Sequence, residues 1–548
     1  MKRLSTLLSS AVAFALALGA LVAPPAVAAP QDDVKTVISR LQDYYLGQGD
    51  EIIIANGIYL AQTSRALEYV DSQRADGSWA DVDYADRTSS ANGSVWSAYI
   101  ALYRMLAMTH AFRDPDAAGY GDRRLVDAVE RALLYWDRVN PGNSNWWETE
   151  IGESIAMGRI SMFLGDELSP AALQVALTHN TGKIDPVGAN GSWRTSNYLF
   201  EALSTGDIDK VTQGFAAIVE TITVDRSGAV NEAVQPDGSF WAHGAQLYSE
   251  GYGMVLFTYA ALWADVARGT GLAFTRDQLD AIAFYFVDGT RWMIRGEIGM
   301  LYLNYRPAKT NQQVTSYASD FIEPLQRMVR TDPLYATAYA GVLDGILGKT
   351  RTNGVTGNTY FWRSEFSSHL REKYGIFTRL NSSRTFGAEL RTSYRDEVGN
   401  PVYWNAMGST AIQVTNHEYA DLGPAFDWWH YPGVTAPYEK RTERGFENRG
   451  RNGDGASFTG GVSDGRYGAS VLTLDSAGTT AKKSYFQFDD EMVALGADIA
   501  SSRAAAVHTT INQVVSADNA TVGGQRVTEG TSAQSIGAAR WAYNDEVG

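Results

Sequence analysis

The 548-residue chain contains no cysteine. Disulfide staples, thiol nucleophiles and thiolate metal sites are therefore excluded, and stability must come from buried apolar surface. A chain of this length has enough of it for two to four domains. Beyond the N-terminal leader, no run is long and apolar enough to span a bilayer. Positive charge is also scarce: 46 Lys and Arg stand against 62 Asp and Glu, a formal net charge of −16. That balance argues against nucleic acid and anionic membrane surfaces as general partners, as the lack of a spanning run argues against membrane insertion, and it leaves room for an anionic polymer held in a locally basic cleft.

What is there begins with "MKRLSTLLSSAVAFALALGALVAPPAVAAP". The Lys2-Arg3 start, an apolar stretch over about 7–22 and the small-residue exit Ala26-Val27-Ala28 form the pattern of a secretory signal, so residues 1–29 are expected to be removed on export. From about 32 to 347 the pattern is helical. In "RRLVDAVERALLYWDRV" the apolar Leu125, Ala128, Val129, Ala132, Tyr135 and Trp136 recur at helical spacing. "VWSAYIALYRMLAMTHAF" and "GMVLFTYAALWADVARGTGL" repeat the theme, with Gly, Asp and Asn turns between. Such paired helices stack as a solenoid or close into a toroid. Beyond about Tyr360, "YGASVLTLDS", "KKSYFQFDDEMVALG" and "AAVHTTINQVV" read as strands of an antiparallel sandwich. The polar, glycine-rich stretch 348–360 marks the boundary, giving a helical domain over 30–350 and a β-sandwich domain over 351–548.

Three stretches concentrate chemistry. "NSNWWETEIGESIAMGRI" sets Trp146 and Trp147 after Asn145 and before Glu148, Glu150 and Glu153. "DPVGANGSWRTSNYLF" holds Asn190 between glycines, ahead of Trp193 and Arg194. "PDGSFWAHGAQLYSEGYG" gathers His243, Tyr248 and Tyr252 among Gly244, Gly251 and Gly253. Singly, each has an ordinary explanation: paired tryptophans pack in cores, and asparagine suits glycine turns. Together, side-by-side indoles suit sugar faces, an amide suits a carboxylate, and histidine and tyrosine suit proton transfer. On one unbroken helix His243 and Tyr252 would point to opposite faces. A turn after His243 and a new helix near Tyr252 would aim both into one cleft.

These ordered segments resemble the polysaccharide lyase family that includes chondroitin AC, hyaluronate and xanthan lyases, polysaccharide lyase family 8. "NWWETEI" is similar to its aromatic patch, "GAN" to its carboxylate-binding asparagine, and "HGAQLYSEGYG" to its histidine–tyrosine segment, in wording nearest the chondroitin AC lyases. "FDWWHYPGVT", "FTGGVSDGRYGAS" and "KKSYFQFDDEMVALGADI" resemble its sandwich motifs, and the matching segments run from about Asp76 to the end. The resemblance implies an α+β multidomain chain, an incomplete (α/α) helical toroid followed by an antiparallel β-sandwich. It also implies a monomer that cleaves an acidic polysaccharide by β-elimination at a uronic acid. Carried over by motif, Asn190 would bind the C5 carboxylate with help from His243, and Tyr252 would take the C5 proton and return one to O4. Trp146 and Trp147 would stack the sugars, with Asn145 beside them. A tyrosine base needs a cation to bring its pKa down from about 10, for which Arg295 and Arg306 are the candidates. Glu389 would support the catalytic residues.

The chain also departs from the family pattern. "IRGEIGMLYLNYRP" is shorter than the family's arginine-rich run, and Thr392 stands where an asparagine is expected. Some members bind calcium near "FDWWHYPG"; here Trp429 replaces an acid that would have to join Asp427 and Glu439, and no required metal or other cofactor is expected. "ARWAYNDEVG" resembles a strand that continues in the family, so the sandwich reads as cut short at Gly548. Chondroitin or its sulfates is the expected substrate, with hyaluronan accepted and xanthan or another uronate polymer as the alternative. Two rival classes remain: a glycoside hydrolase using two of Glu148, Glu150, Glu153 and Asp237, and a non-catalytic carbohydrate-binding protein.

Overall fold

Two kinds of helix alternate through the first part of the chain. The computed structural model describes residues 31–47, 63–88, 96–225, 232–297, 318–387, 403–419, 422, 425–439, 456, 458–515, 520–527 and 541–545. Its helices are α1 Gln31–Leu46, α2 Ala66–Asp71, α3 Tyr99–Arg113, α4 Arg123–Val139, α5 Glu153–Leu164, α6 Pro170–His179, α7 Gly188–Thr205, α8 Ile208–Glu220, α9 Tyr252–Val266, α10 Arg276–Ala283, α11 Ile322–Thr331 and α12 Ala336–Ile346. The odd-numbered α3, α5, α7, α9 and α11 pack side by side in that order, and α4, α6, α8, α10 and α12 each back the inner helix that precedes them. This is the two-layered arc of an incomplete (α/α) toroid.

Sequence decides which layer a helix joins. Inner α9 is apolar nearly all round and buries Leu256, Phe257, Ala260, Ala261, Leu262 and Trp263, as a helix covered on every side must. Outer α4 carries one apolar stripe, ending in Trp136. Asp122 caps its first turn by accepting from the Arg124 N–H at 3.0 Å, and left-handed Asn140 ends it. α1 lies across one end of the arc. There the Tyr45 ring meets His110 of α3, Phe163 of α5 and Phe200 of α7 at 6.5, 6.4 and 6.1 Å. No helix among the described residues is long and apolar enough to cross a membrane.

The helical pattern expected over 32–347 is interrupted between α8 and α9. There the chain forms a short antiparallel hairpin, β1 Ala233–Val234 with β2 Phe240–Trp241. "QPDGS" supplies its turn: Asp237 accepts from the Ser239 N–H and hydroxyl at 3.1 and 2.6 Å.

After α12 the chain turns to strands, the first being β3 Gly357–Phe361, β4 Phe366–Leu370, β5 Gly375–Arg379 and β6 Ser409–Gln413, an antiparallel sheet in chain order. After β7 Thr435–Pro437 come β8 Thr459–Ser463, β9 Gly468–Ser476, β10 Thr479–Gln487 and β11 Met492–Ser501, a second antiparallel sheet packed on the first through β3 and β4. Its edge strand β11 exposes Val493, Leu495 and Ile499. "AAVHTTINQVV", expected as a full strand, pairs only over β12 Val507–Thr509 against β7. Short strands β13 Ala520–Val522, β14 Gln525–Val527 and β15 Ala542–Asn544 form a separate small sheet.

Two apolar cores result, one inside the helical arc and one inside the sandwich. They meet at the segment after β2. Leu247 belongs to the sandwich core, while the next residue, Tyr248, belongs to the helical one.

Candidate active site at the seam of the two halves

The chain reverses between His243 and Tyr252. His243 has left-handed backbone, with φ +57°. Gly251, φ +66°, makes the turn into α9, whose first residue is Tyr252. The half-buried His243 and Tyr252 rings thereby come to 4.8 Å between centroids, at 64°. Tyr248 closes the group at 5.6 Å from His243 and 5.1 Å from Tyr252.

From Tyr252 the cluster extends across the inner helices. Trp193 of α7 lies 6.2 Å from Tyr252 and 5.4 Å from Trp147, edge-on to both. Asn190 precedes Trp193 by three residues on α7, one turn away on the same side. Its side-chain oxygen is buried and takes no hydrogen bond from a described residue, a polar group short of a partner. Glu232 joins the same place: it accepts from the His243 N–H at 3.4 Å and packs against Gly188, the first residue of α7.

Trp147 stands where a π-helical turn, Glu148–Gly152, leads into α5, and the Asn145 side chain accepts from the Trp147 N–H at 3.3 Å. Trp146 is 45% exposed, with the Arg194 guanidinium 5.1 Å from its ring. Arg194 in turn pairs with Asp185 and Glu150, both at 2.9 Å. The arrangement offers an exposed indole, an edge-to-face aromatic series, an amide with a bare buried oxygen, and an imidazole against a phenol.

The remaining sequence candidates fall elsewhere. Arg295 is 1% exposed; its guanidinium donates to Asn416 and to the Glu372 carbonyl at 3.2 Å, and burial brings its pKa down to about 10. It stitches the two halves together inside the protein, rather than facing solvent where sugars could reach it. Arg306, Glu389 and Thr392 lie outside the described residues. Three of the four carboxylates proposed for a hydrolase are already engaged. Glu153 holds Trp136 Nε1 and His179 at 2.8 and 2.7 Å, Glu150 pairs with Arg194, and Asp237 accepts from the Arg363 N–H at 2.6 Å. Asp427 takes His430 and Tyr438, and Glu439 takes Arg503; no group of three metal-binding side chains occurs among the described residues.

Residues the motifs did not single out also shape the site. Trp193 was visible beside Asn190 but had no assigned part. Glu232, and the β-half residues Ser364 and Phe386 that touch the histidine segment, carry no local signal. Trp241 Nε1 donates to the Ser364 hydroxyl at 3.0 Å across 123 positions of sequence, and the Phe386 N–H donates to the Ala245 carbonyl at 2.8 Å.

Residues 59–297 match the N-terminal alpha-helical domain of polysaccharide lyase family 8, and residues 356–548 match its super-sandwich domain. The chain belongs to polysaccharide lyase family 8. Trp146, Trp147, Asn190, His243 and Tyr252 all fall within the first match, and Ser364 and Phe386 within the second. Chondroitinase-AC of Pedobacter heparinus is 29% identical over 465 residues, 82% of this chain and 63% of that protein. A xanthan lyase of a Bacillus species is 23% identical over 86% of this chain and 55% of its own length. The chain thus spans somewhat over half the length of these relatives. A solved chondroitinase AC lyase shares the fold, with a TM-score of 0.78 and 24% identity over 91% of this chain and 72% of that one.

Proposed function

We propose that the protein is a secreted polysaccharide lyase that cleaves a glucuronate-containing galactosaminoglycan, chondroitin or its sulfates, by β-elimination, and accepts hyaluronan. The observation that carries the reading is the His243–Tyr252 ring contact at 4.8 Å, with Trp193 6.2 Å from Tyr252 and, one helical turn before Trp193, the buried amide oxygen of Asn190 that takes no hydrogen bond among the described residues. Family membership and the likeness to Chondroitinase-AC support it, and the N-terminal leader supports export.

The chemistry follows from these groups. The hydrogen on C5 is too weakly acidic to leave unless the neighbouring carboxylate can take up charge. Asn190, with His243, would hydrogen-bond that carboxylate and stabilise the charge as it develops. Tyr252, as phenolate, would take the C5 proton; the electrons form the C4–C5 double bond as the C4–O4 bond breaks. The same phenol would hand its proton to O4, leaving a 4,5-unsaturated uronate at the new non-reducing end. Arg306 would supply the cation that lowers the tyrosine pKa, and Glu389 would support the set. Trp146 and Trp147, with Asn145 beneath them, would bind sugars flanking the cleaved bond. No step requires a metal.

Incubation with chondroitin, its sulfates, hyaluronan and xanthan tests the reading. Ultraviolet-absorbing, unsaturated products form fastest from the chondroitins if it holds. Products heavier by one water per cut, without absorbance, would establish hydrolysis instead. Cleavage of xanthan alone would overturn the substrate assignment and keep the mechanism.

A further inference from the structure

His243 occupies backbone that a residue with a side chain disfavours, in a turn closed by backbone bonds from Ala242 to Gln246 and from Tyr248 to Phe240, and contacts from outside the segment add to these. The segment is gripped on both sides of His243. Upstream, Trp241 Nε1 donates to the Ser364 hydroxyl, which also meets the Ser239 hydroxyl at 2.7 Å. The Arg363 guanidinium lies 4.3 Å from the Trp241 ring, and its backbone N–H donates to Asp237. Downstream, the Phe386 N–H donates to the Ala245 carbonyl, and the Phe386 ring lies so close to Gly244 that a Cβ there would sit 2.5 Å from a ring carbon.

Both grips lead to one carboxylate. Glu365 follows Ser364 in the turn 362–365 between β3 and β4; it is 1% exposed and itself left-handed, with φ +53°. It accepts from the hydroxyls of Ser382 and Thr385 and from the Arg384 guanidinium, each at 2.5 Å. Those three residues lie in the loop 382–386 that ends at Phe386. Three strong donors on one buried carboxylate make the turn and the loop a single rigid unit.

We infer that Glu365 is a positioning residue. Its carboxylate locks the turn to the loop, so that Ser364 and Phe386 together hold the backbone around His243 in the turn that faces Tyr252. The inference rests on the lyase reading for its effect on activity, but not for its effect on His243.

The test uses the full chain with histidine rings isotopically labelled. The His243 signal is assigned by its loss in H243A and is shifted by the two tyrosine rings beside it. Glu365→Leu removes all three bonds at similar size. It should move the His243 signal and lower kcat at least tenfold with KM within about threefold, as displacing a reacting group does while the binding surface stays intact. Glu365→Gln, which can still accept from Arg384 and bond both hydroxyls, should stay near wild type in both. Phe386→Ala, cutting the downstream grip alone, should reproduce the Leu variant in part. A folded Glu365→Leu protein with an unmoved His243 signal overturns the inference whatever the activity. Should that variant not fold, an unmoved signal and unchanged kcat in Phe386→Ala overturn it. Wild-type protein that makes no unsaturated product overturns the lyase reading, and the signal alone then decides the role of Glu365.

Discussion

The two parts of the candidate site are built in opposite ways. Trp147 and Trp193 stand on or beside regular helices, and their places follow from helix packing within one half of the molecule. His243 stands on irregular backbone between a two-residue strand and a helix start, and residues of the other half fix it. The contrast matches what each part would have to do. Stacking on a sugar tolerates small displacements, because the contact is spread over a ring face. Proton transfer does not, since a shift of about 1 Å can cost on the order of a hundredfold in rate.

Substitutions can break this comparison from either side. The largest of them should be Asn190→Ala. An amide that acts on developing charge is worth roughly 10²–10³ in kcat, so steady-state rates should fall by that order with KM little changed. A change confined to KM would make Asn190 a binding residue and merge the two parts.

The tryptophans should give the reverse pattern. Trp146→Ala should raise KM roughly threefold to tenfold, in line with about 0.5–1.5 kcal/mol for an aromatic contact, with kcat held. Because Trp146 is nearly half exposed and Trp147 packs against Trp193, only Trp147→Ala should also lower the Tm. A fall in Tm from both, with KM unchanged, would make them core residues.

The smallest effect concerns what holds the tryptophan loop. His179 has a raised pKa, caused first by its hydrogen bond to Glu153 against the opposing effect of burial. Glu153 is the first residue of α5, directly after the π-helical turn. A raised pKa in the folded state means the protonated form adds stability that is complete below the ordinary histidine value of about 6.5 and is lost as pH rises through the raised one. His179→Asn should therefore lower the Tm most near pH 5 and progressively less at higher pH. A difference that grows with pH would reverse the assignment.

How much of this could be read beforehand varies with the distance over which each feature is specified. Helical spacing sufficed for α4, whose ends coincide with the quoted "RRLVDAVERALLYWDRV". The glycines around His243 pointed to the reversal, and motif resemblance pointed to Asn190, His243 and Tyr252. The β1–β2 hairpin was lost among the helices, because two-residue strands carry no period of their own. Arg295 reads in the sequence as a candidate cation for the tyrosine, but its partners Asn416 and Glu372, which hold it inside the protein, lie far away in sequence. The grip on His243 was invisible for the same reason: Ser364 and Phe386 are ordinary residues until the fold lays them on Trp241 and Ala245.

The central claim is that Tyr252, brought onto His243 by that turn, moves the proton in an elimination. Tyr252→Phe keeps the ring and removes only the hydroxyl, so the most direct test is the rate of ultraviolet-absorbing product formation from chondroitin by this variant, with polymer binding measured in parallel. The account predicts a loss of about a hundredfold or more in kcat, the scale of a missing general acid–base, with binding near that of the wild type. A Tyr252→Phe protein that forms unsaturated product at close to the wild-type rate would contradict it.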